Sequence, residues 1–203
     1  MHPPFTPRTA RGPLARALFA AALVLAVPAH AVAQAAPIVR FAAWSADAST
    51  ESPSPLAGRA LLIPVRGVRA EQLRDTYHDG RSEGREHLAI DIPAPRGTPV
   101  LAAADGRVIK LHSGSRGGTA LYQLDPDGRT RYYYAHLDGY ADGITEGAVV
   151  RRGEVIGYVG DTGNAGPGNY HLHFSIAILS DPHRWWEGEN LDPYPVLRAA
   201  ATR

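Results

Sequence analysis

The sequence predicts an all-β fold, and three observations carry that prediction. Short runs rich in Val, Ile and Tyr recur from residue 91 onward, Gly-containing turns separate them, and the chain holds 21 Gly and 17 Pro in 203 residues. Such a composition suits many turns and short strands and does not suit a helical bundle.

Taken in order, residues 1–33 read as an export signal outside the fold. Arg8, Arg11 and Arg16 form a basic start, residues 17–27 are an apolar run of eleven, and Ala29-His30-Ala31-Val32-Ala33 offers two overlapping small-residue cleavage patterns. The run is well short of the ~20 residues that span a bilayer. Residues 34–60, with Pro37, Pro53 and Pro55 among Ala, Ser and Thr, read as a linker or lead-in, and 61–203 as one domain. Leu61-Leu62-Ile63-Pro64-Val65 predicts a first short strand and residues 70–78 a short helix or turn. The strands expected beyond it are 99–102, 106–112, 119–124, 130–136, 148–150, 155–159 and 171–178, with a hairpin at Asp125-Pro126-Asp127-Gly128. A faint echo links Gly97-Thr98-Pro99-Val100 and Asp105-Gly106-Arg107-Val108 to Gly147-Ala148-Val149-Val150 and Gly153-Glu154-Val155-Ile156-Gly157, which predicts two related hairpins packed on each other. Biotinyl and lipoyl carriers share that spacing, but the single lysine, Lys110, falls inside a strand and not in a turn. Asn190-Leu191-Asp192-Pro193-Tyr194-Pro195 is expected to close the domain without further helix or strand.

Charge and cysteine usage exclude several functions. The chain has 21 Lys and Arg against 20 Asp and Glu; losing residues 1–33 removes three Arg and no acid, leaving 18 against 20, a net of −2. No broad attraction to phosphate follows, so nucleic acid is not an expected partner. The absence of Cys excludes disulfides, zinc–thiolate sites, thiol nucleophiles and a lipidated N-terminal Cys. Nine His remain to carry the chemistry.

Three motifs stand out. His171-Leu172-His173 opens a strand, where residues two apart share a face with Cα atoms roughly 6.6 Å apart. His87-Leu88-Ala89-Ile90-Asp91 pairs two good zinc ligands, but a fully extended chain would hold them roughly 13 Å apart, so the segment must bend before a strand near Asp91. Tyr132-Tyr133-Tyr134-Ala135-His136 alternates so that Tyr132, Tyr134 and His136 fall on one face, from which His136 can act as acid, base or hydrogen-bond donor. Singly, each motif also reads as ordinary surface or half-buried histidine. Together they offer the three protein ligands of a catalytic zinc site, with imidazoles to spare for proton transfer.

In chain order these motifs resemble the lysostaphin/LytM-type zinc metallopeptidases that cut peptidoglycan peptides, called DD-metalloendopeptidases in Gram-negative members. The resemblance runs over about residues 66–195, through His87-x-x-x-Asp91-Ile92, Gly97-Thr98-Pro99-Val100, Ala103-Ala104-Asp105-Gly106, Tyr134-Ala135-His136-Leu137, Gly160-Asp161-Thr162-Gly163 and His171-Leu172-His173-Phe174. It implies a two-sheet antiparallel sandwich or barrel-like fold with short helices, and a groove walled by loops near 113–118, 138–147 and 161–170. It also implies that His87, Asp91 and His173 bind Zn²⁺ and that His136 and His171 assist proton transfer, their division of labour left open. The substrate implied is a peptide stem of peptidoglycan, reached by export to the periplasm or cell exterior with no membrane span after cleavage of the signal.

Two departures from the family pattern stand out. Ala89 replaces a glycine common two residues after the first His, and Arg81 and Arg85 occupy the region where some members carry an oxyanion-holding tyrosine. Both arginines are expected to be solvated. Other readings remain: the same chemistry on glycine-rich or non-wall peptides, or a non-catalytic activator of a wall amidase, although such relatives usually lose ligand residues and all five positions stand here. A sugar phosphocarrier with paired His does not fit the export signal. His78, His112 and His183 have no assigned role, and Trp185-Trp186 is expected to pack the C-terminal tail or to offer a platform for sugar rings.

Overall fold

The computed structural model describes residues 55–200 except 57, 82 and 83. The export signal and most of the 34–60 lead-in therefore lie outside the described residues. Nine strands form one antiparallel hydrogen-bonded network: β1 (Ile90–Pro93), β2 (Pro99–Leu101), β3 (Gly106–Gly114), β4 (Gly118–Leu124), β5 (Thr130–Tyr140), β6 (Val149–Val150), β7 (Val155–Val159), β8 (His171–Ile178) and β9 (Glu189–Leu191). They run in the order β1-β8-β5-β4-β3-β6, with β9 on β8. The eleven-residue β5 joins a second arm, because its last residues leave β8 and pair with β7, which in turn pairs with β2. No helix among the described residues is long and apolar enough to cross a membrane.

The expected strands appear within one to four residues of their predicted ends, and the 125–128 hairpin forms with Gly128 N–H donating to Asp125 C=O at 3.0 Å. The internal echo has structural content: β2 and β3 of its first copy pair with β7 and β6 of its second. Period-2 alternation sorts side chains between two faces. Leu172, Phe174 and Ile176 of β8, Tyr132 and Tyr134 of β5, and Ile90 and Ile92 of β1 all enter the hydrophobic core. Asp91, His171 and His173 take the opposite face.

Two expectations fail locally, at residues 61–65 and at the proline-rich end. Residues 61–65 make only one ladder bridge, Val65 with Val100, because Pro64 has no N–H; its carbonyl still accepts from Leu101. The short helix or turn expected within 70–78 is present as a 3₁₀ turn, Ala70–Gln72. The proline-rich end does continue into a helix, α1 (Pro193–Ala200). Asp192 caps it by accepting from Tyr194 N–H at 2.9 Å, and both prolines sit in the first turn, where their missing N–H groups would have no intrahelical partner. Leu56, in the segment read as lead-in, is buried in the core.

Tyr134 ties the two arms together. Its buried hydroxyl donates to Gln123 Oε1 at 2.7 Å and accepts from Ala103 N–H at 2.9 Å. Tyr134→Phe strands both partners in the core, and is expected to lower unfolding free energy by about 1–3 kcal/mol. A shifted urea midpoint at unchanged denaturant slope checks this.

Candidate metal centre and cleft

Pairing of β1 with β8 sets Asp91 directly opposite His173, and pairing of β8 with β5 sets Ala135 against His173. His87 joins them through the required bend. The chain turns at Leu88, whose φ is +54°, one position before the family's usual glycine. His87 N–H donates to Asp79 C=O at 3.0 Å and Leu88 N–H to Tyr77 C=O at 2.9 Å, so neighbouring backbone holds a conformation that side-chain sterics disfavour. His87 Nε2 then lies 3.0 Å from Asp91 Oδ1 and 2.9 Å from His173 Nδ1, and His173 Nδ1 lies 3.1 Å from the same oxygen.

This donor set suits a cation. One ligand atom from each of His87, Asp91 and His173 lies within 4.8 Å of the others, so the three can hold a metal ion. His87 Nδ1 is 2.8 Å from Thr76 C=O, which can only accept; Nδ1 therefore carries the proton and Nε2 offers a lone pair inward. Thr76 also accepts Asp91 N–H through Oγ1 at 3.0 Å. Burial opposes ionisation of Asp91, but hydrogen bonds and charge from His173 and His87 outweigh it and hold the carboxyl well below the usual range. Burial keeps His173 below its ordinary pKa, that is, neutral and able to coordinate.

His136 and His171 complete the cluster, with ring centroids 4.8 Å apart and His136 5.6 Å from His173. Each points Nδ1 at a carbonyl at 2.8 Å, Thr162 for His136 and Asn169 for His171, which leaves Nε2 free to accept a proton. Burial, with smaller contributions from His173 and His171, pushes His136 down to about 4, against the opposing hydrogen bond to Thr162.

His136 reaches the cleft by a route that alternation misses. Tyr134 points into the core while Tyr133 and His136 both line the cleft, so His136 does not share a face with Tyr132 and Tyr134. The parity breaks at His136 itself, where φ is +61° and the register of β5 on β4 shifts between Tyr134 and Leu137. Its N–H donates to Gly117 C=O at 2.8 Å, locking the bulge to the β3–β4 turn.

The cleft has a volume of about 390 Å³. Its walls include Arg116 and Gly117 from the β3–β4 turn and Asn164, Ala165 and Asn169 from the 161–170 loop, as expected. None of its described lining residues comes from 138–147, which packs against β3 and β7 instead; Arg81, Arg85 and Glu86 line the cleft there. Arg81, expected to be solvated, donates to Asp91 Oδ2 at 2.6 Å and fills the carboxylate's second oxygen. Thr76 and Arg116 are site residues that the sequence reading did not single out, and neither sits in a recognisable motif. His78, His112 and His183 lie outside the cleft lining. Trp185 packs on Tyr122 at 4.6 Å between ring centroids, as a tail-packing residue should.

Comparison with known proteins agrees with this geometry. Residues 85–193 match peptidase family M23. The L-Ala–D-Glu endopeptidase of Bacillus subtilis strain 168 is 34% identical over 151 residues, covering 71% of this chain and 44% of that protein. The chain thus spans less than half the length of that relative. Among solved structures, the catalytic domain of the antimicrobial peptidase lysostaphin from Staphylococcus simulans aligns with a TM-score of 0.52 at 27% identity, over 64% of this chain and 95% of that one. A zinc-containing peptidase from Vibrio cholerae aligns with a TM-score of 0.51 at 25% identity, over 68% and 40%.

Proposed function

The chain belongs to peptidase family M23, and from that membership we propose that it is an exported zinc endopeptidase that hydrolyses peptide cross-links of bacterial peptidoglycan. The observation that carries the reading is the convergence of His87, Asp91 and His173 within 4.8 Å, with two more neutral-capable imidazoles beside them. Zinc suits two imidazoles and one carboxylate and, when bound, supplies a Lewis acid and an acidified water.

The protein's own groups do the rest. Thr76 fixes the His87 tautomer, and Arg81 occupies Asp91 Oδ2 so that Oδ1 faces the two imidazoles. His136 Nε2, neutral because burial holds its pKa near 4, accepts a proton as water attacks the peptide carbonyl. The resulting imidazolium returns that proton to the leaving amine nitrogen. His171 stands 3.7 Å from Asp91 Oδ1 through Nε2 and, with its Nδ1 proton committed to Asn169 C=O, is placed to accept a hydrogen bond from the attacking water and orient it. Export, read from residues 1–33, brings the enzyme to the compartment of its substrate.

Digestion of purified peptidoglycan with and without chelator tests the proposal. Cross-linked muropeptide dimers are expected to fall in the zinc-replete sample alone. Unchanged dimers with zinc bound would overturn it in favour of an amidase activator.

A further inference from the structure

Packing of the C-terminal tail accounts for Trp185 and not for Trp186. Trp185 lies against Tyr122, whereas Trp186 is 55% exposed. The other exposed large hydrophobic residues among those described, Val149 and Tyr158, belong to β6 and β7, so Trp186 is a solitary ring and not part of the broad apolar patch that a protein partner would bury. It meets Trp185 at 5.4 Å between centroids and 85° between planes, a perpendicular contact that engages at most one of its two faces. The chain around it is polar: His183 and Arg184 are exposed, and Arg184 pairs with Glu187. A flat aromatic face flanked by imidazole, guanidinium and carboxylate suits a pyranose ring, whose C–H groups form an apolar face and whose hydroxyls project from its edge.

The loop that carries Trp186 is fixed to the outer face of the sheet. Leu179 N–H donates to Arg129 C=O at 2.8 Å where the loop leaves β8, and Arg184 N–H to Asp181 C=O and Glu187 N–H to Arg184 C=O hold its turns at 3.0 and 2.9 Å. At Gly188 it returns so closely that a Cβ would come within 2.9 Å of Ile178 C=O. Arg131, only 7% exposed, fastens the loop by donating from Nη1 to Trp185 C=O at 2.9 Å, with its guanidinium 5.7 Å from the centre of the Tyr122 ring. It has no ion pair among the described residues, and its Nε has no hydrogen-bond partner. A buried cation so sparsely satisfied is costly, and it persists here under the tryptophan loop.

A series of rings leads from this loop back to the metal centre. Trp186 meets Trp185 at 5.4 Å, Trp185 meets Tyr122 at 4.6 Å, Tyr122 meets Tyr133 at 4.5 Å and Tyr133 meets His173 at 5.9 Å. Tyr133 lines the metal cleft. The two ends of the series are therefore no farther apart than about six extended residues can span.

We propose that Trp186 is the platform of a separate saccharide subsite, on which a pyranose ring of the glycan strand stacks while the peptide borne by that strand reaches the metal centre past Tyr133. The inference rests on the peptidase reading and adds a second ligand class to it, an uncharged sugar face recognised outside the metal cleft. Because the loop is already ordered, little conformational freedom is lost when a sugar docks.

The test uses two soluble substrates: cross-linked muropeptide dimers that retain their disaccharides, and the same dimers after an amidase has removed the sugars. The mature, zinc-loaded protein is expected to cleave the sugar-bearing dimer with a kcat/KM about 5- to 30-fold higher, the range of a single tryptophan anchor. Trp186→Ala is expected to bring that ratio to within about twofold of one, with zinc content and circular dichroism unchanged, and Trp186→Phe to keep part of it. Peptide-free glycan strands titrated into the wild type should bind saturably, and Trp186→Ala should weaken that binding by a similar factor. Equal cleavage of both dimers by the wild type overturns the inference and leaves the peptidase reading standing. So does a Trp186→Ala protein that keeps the wild-type ratio or binds glycan strands undiminished. No cleavage of either dimer with zinc bound removes the peptidase reading and this inference with it.

Discussion

Replacing His173 by alanine is expected to abolish stoichiometric zinc binding and to lower peptidoglycan hydrolysis by roughly a thousandfold or more, the rate equivalent of several kcal/mol of lost Lewis-acid stabilisation. His173 stands at the centre of the site: its Nδ1 is 2.9 Å from His87 Nε2 and 3.1 Å from Asp91 Oδ1, so its removal leaves two ligands. The fold is expected to survive. The ring lies on the cleft face, while Leu172 and Phe174 on either side hold β8 to the core. Zinc content of the dialysed variant, measured with its circular dichroism, checks both halves. One full equivalent of zinc in a folded His173→Ala protein would mean that the ligand set is wrong.

The second large effect is expected at His136, and asparagine is the informative replacement. Asparagine tolerates the left-handed backbone at this position (φ +61°) better than alanine, so lost turnover reports chemistry and not strain. His136→Asn is expected to lower kcat by about 10²- to 10⁴-fold, the usual worth of a positioned proton acceptor, with zinc content intact. Stability should respond to pH with a definite sign. Burial lowers the folded pKa of His136 from 6.5 to about 4, so the unfolded chain binds more protons between those values. The stability concerned is therefore fully present above pH 6.5 and is lost as pH falls towards 4. His136→Asn should flatten that part of the stability profile. Wild-type turnover in a zinc-loaded His136→Asn variant would remove His136 from the mechanism.

Much of this architecture was legible before any coordinates. The alternation in His171-Leu172-His173-Phe174 is a consequence of strand geometry, which sends neighbours to opposite faces, and it assigned core and cleft sides of β8 correctly. The spacing of His87 and Asp91 demanded a bend, and the bend is there at Leu88. The paired glycine and valine motifs of residues 97–108 and 147–157 pointed to two hairpins in contact, and their strands pair with one another.

The failures share a cause. Tyr134 and His136 part company because a hydrogen bond from His136 N–H to Gly117 and another from its ring to Thr162 hold one residue in a left-handed conformation. Neither partner is adjacent in sequence, and period-2 reasoning has no place for a bulge. Arg81 looked like any arginine on a polar loop until folding set Asp91 Oδ2 within 2.6 Å of it. The prolines at 193 and 195 looked like a stop, yet a first turn has no use for the N–H groups they lack.

The sequence by itself determined which residue types carry the chemistry, their order along the chain, and the two-faced character of the strands, because covalent geometry imposes a period of two on any extended segment. The tertiary structure decided which of those faces meet. His87 and His173 stand 86 residues apart and come within 2.9 Å only through the register of β1 on β8 and the bend at Leu88. That register depends on core packing, and both left-handed residues depend on hydrogen bonds to other segments. Such contacts exist only once the chain has folded, since local sequence cannot supply the energy that offsets either conformation.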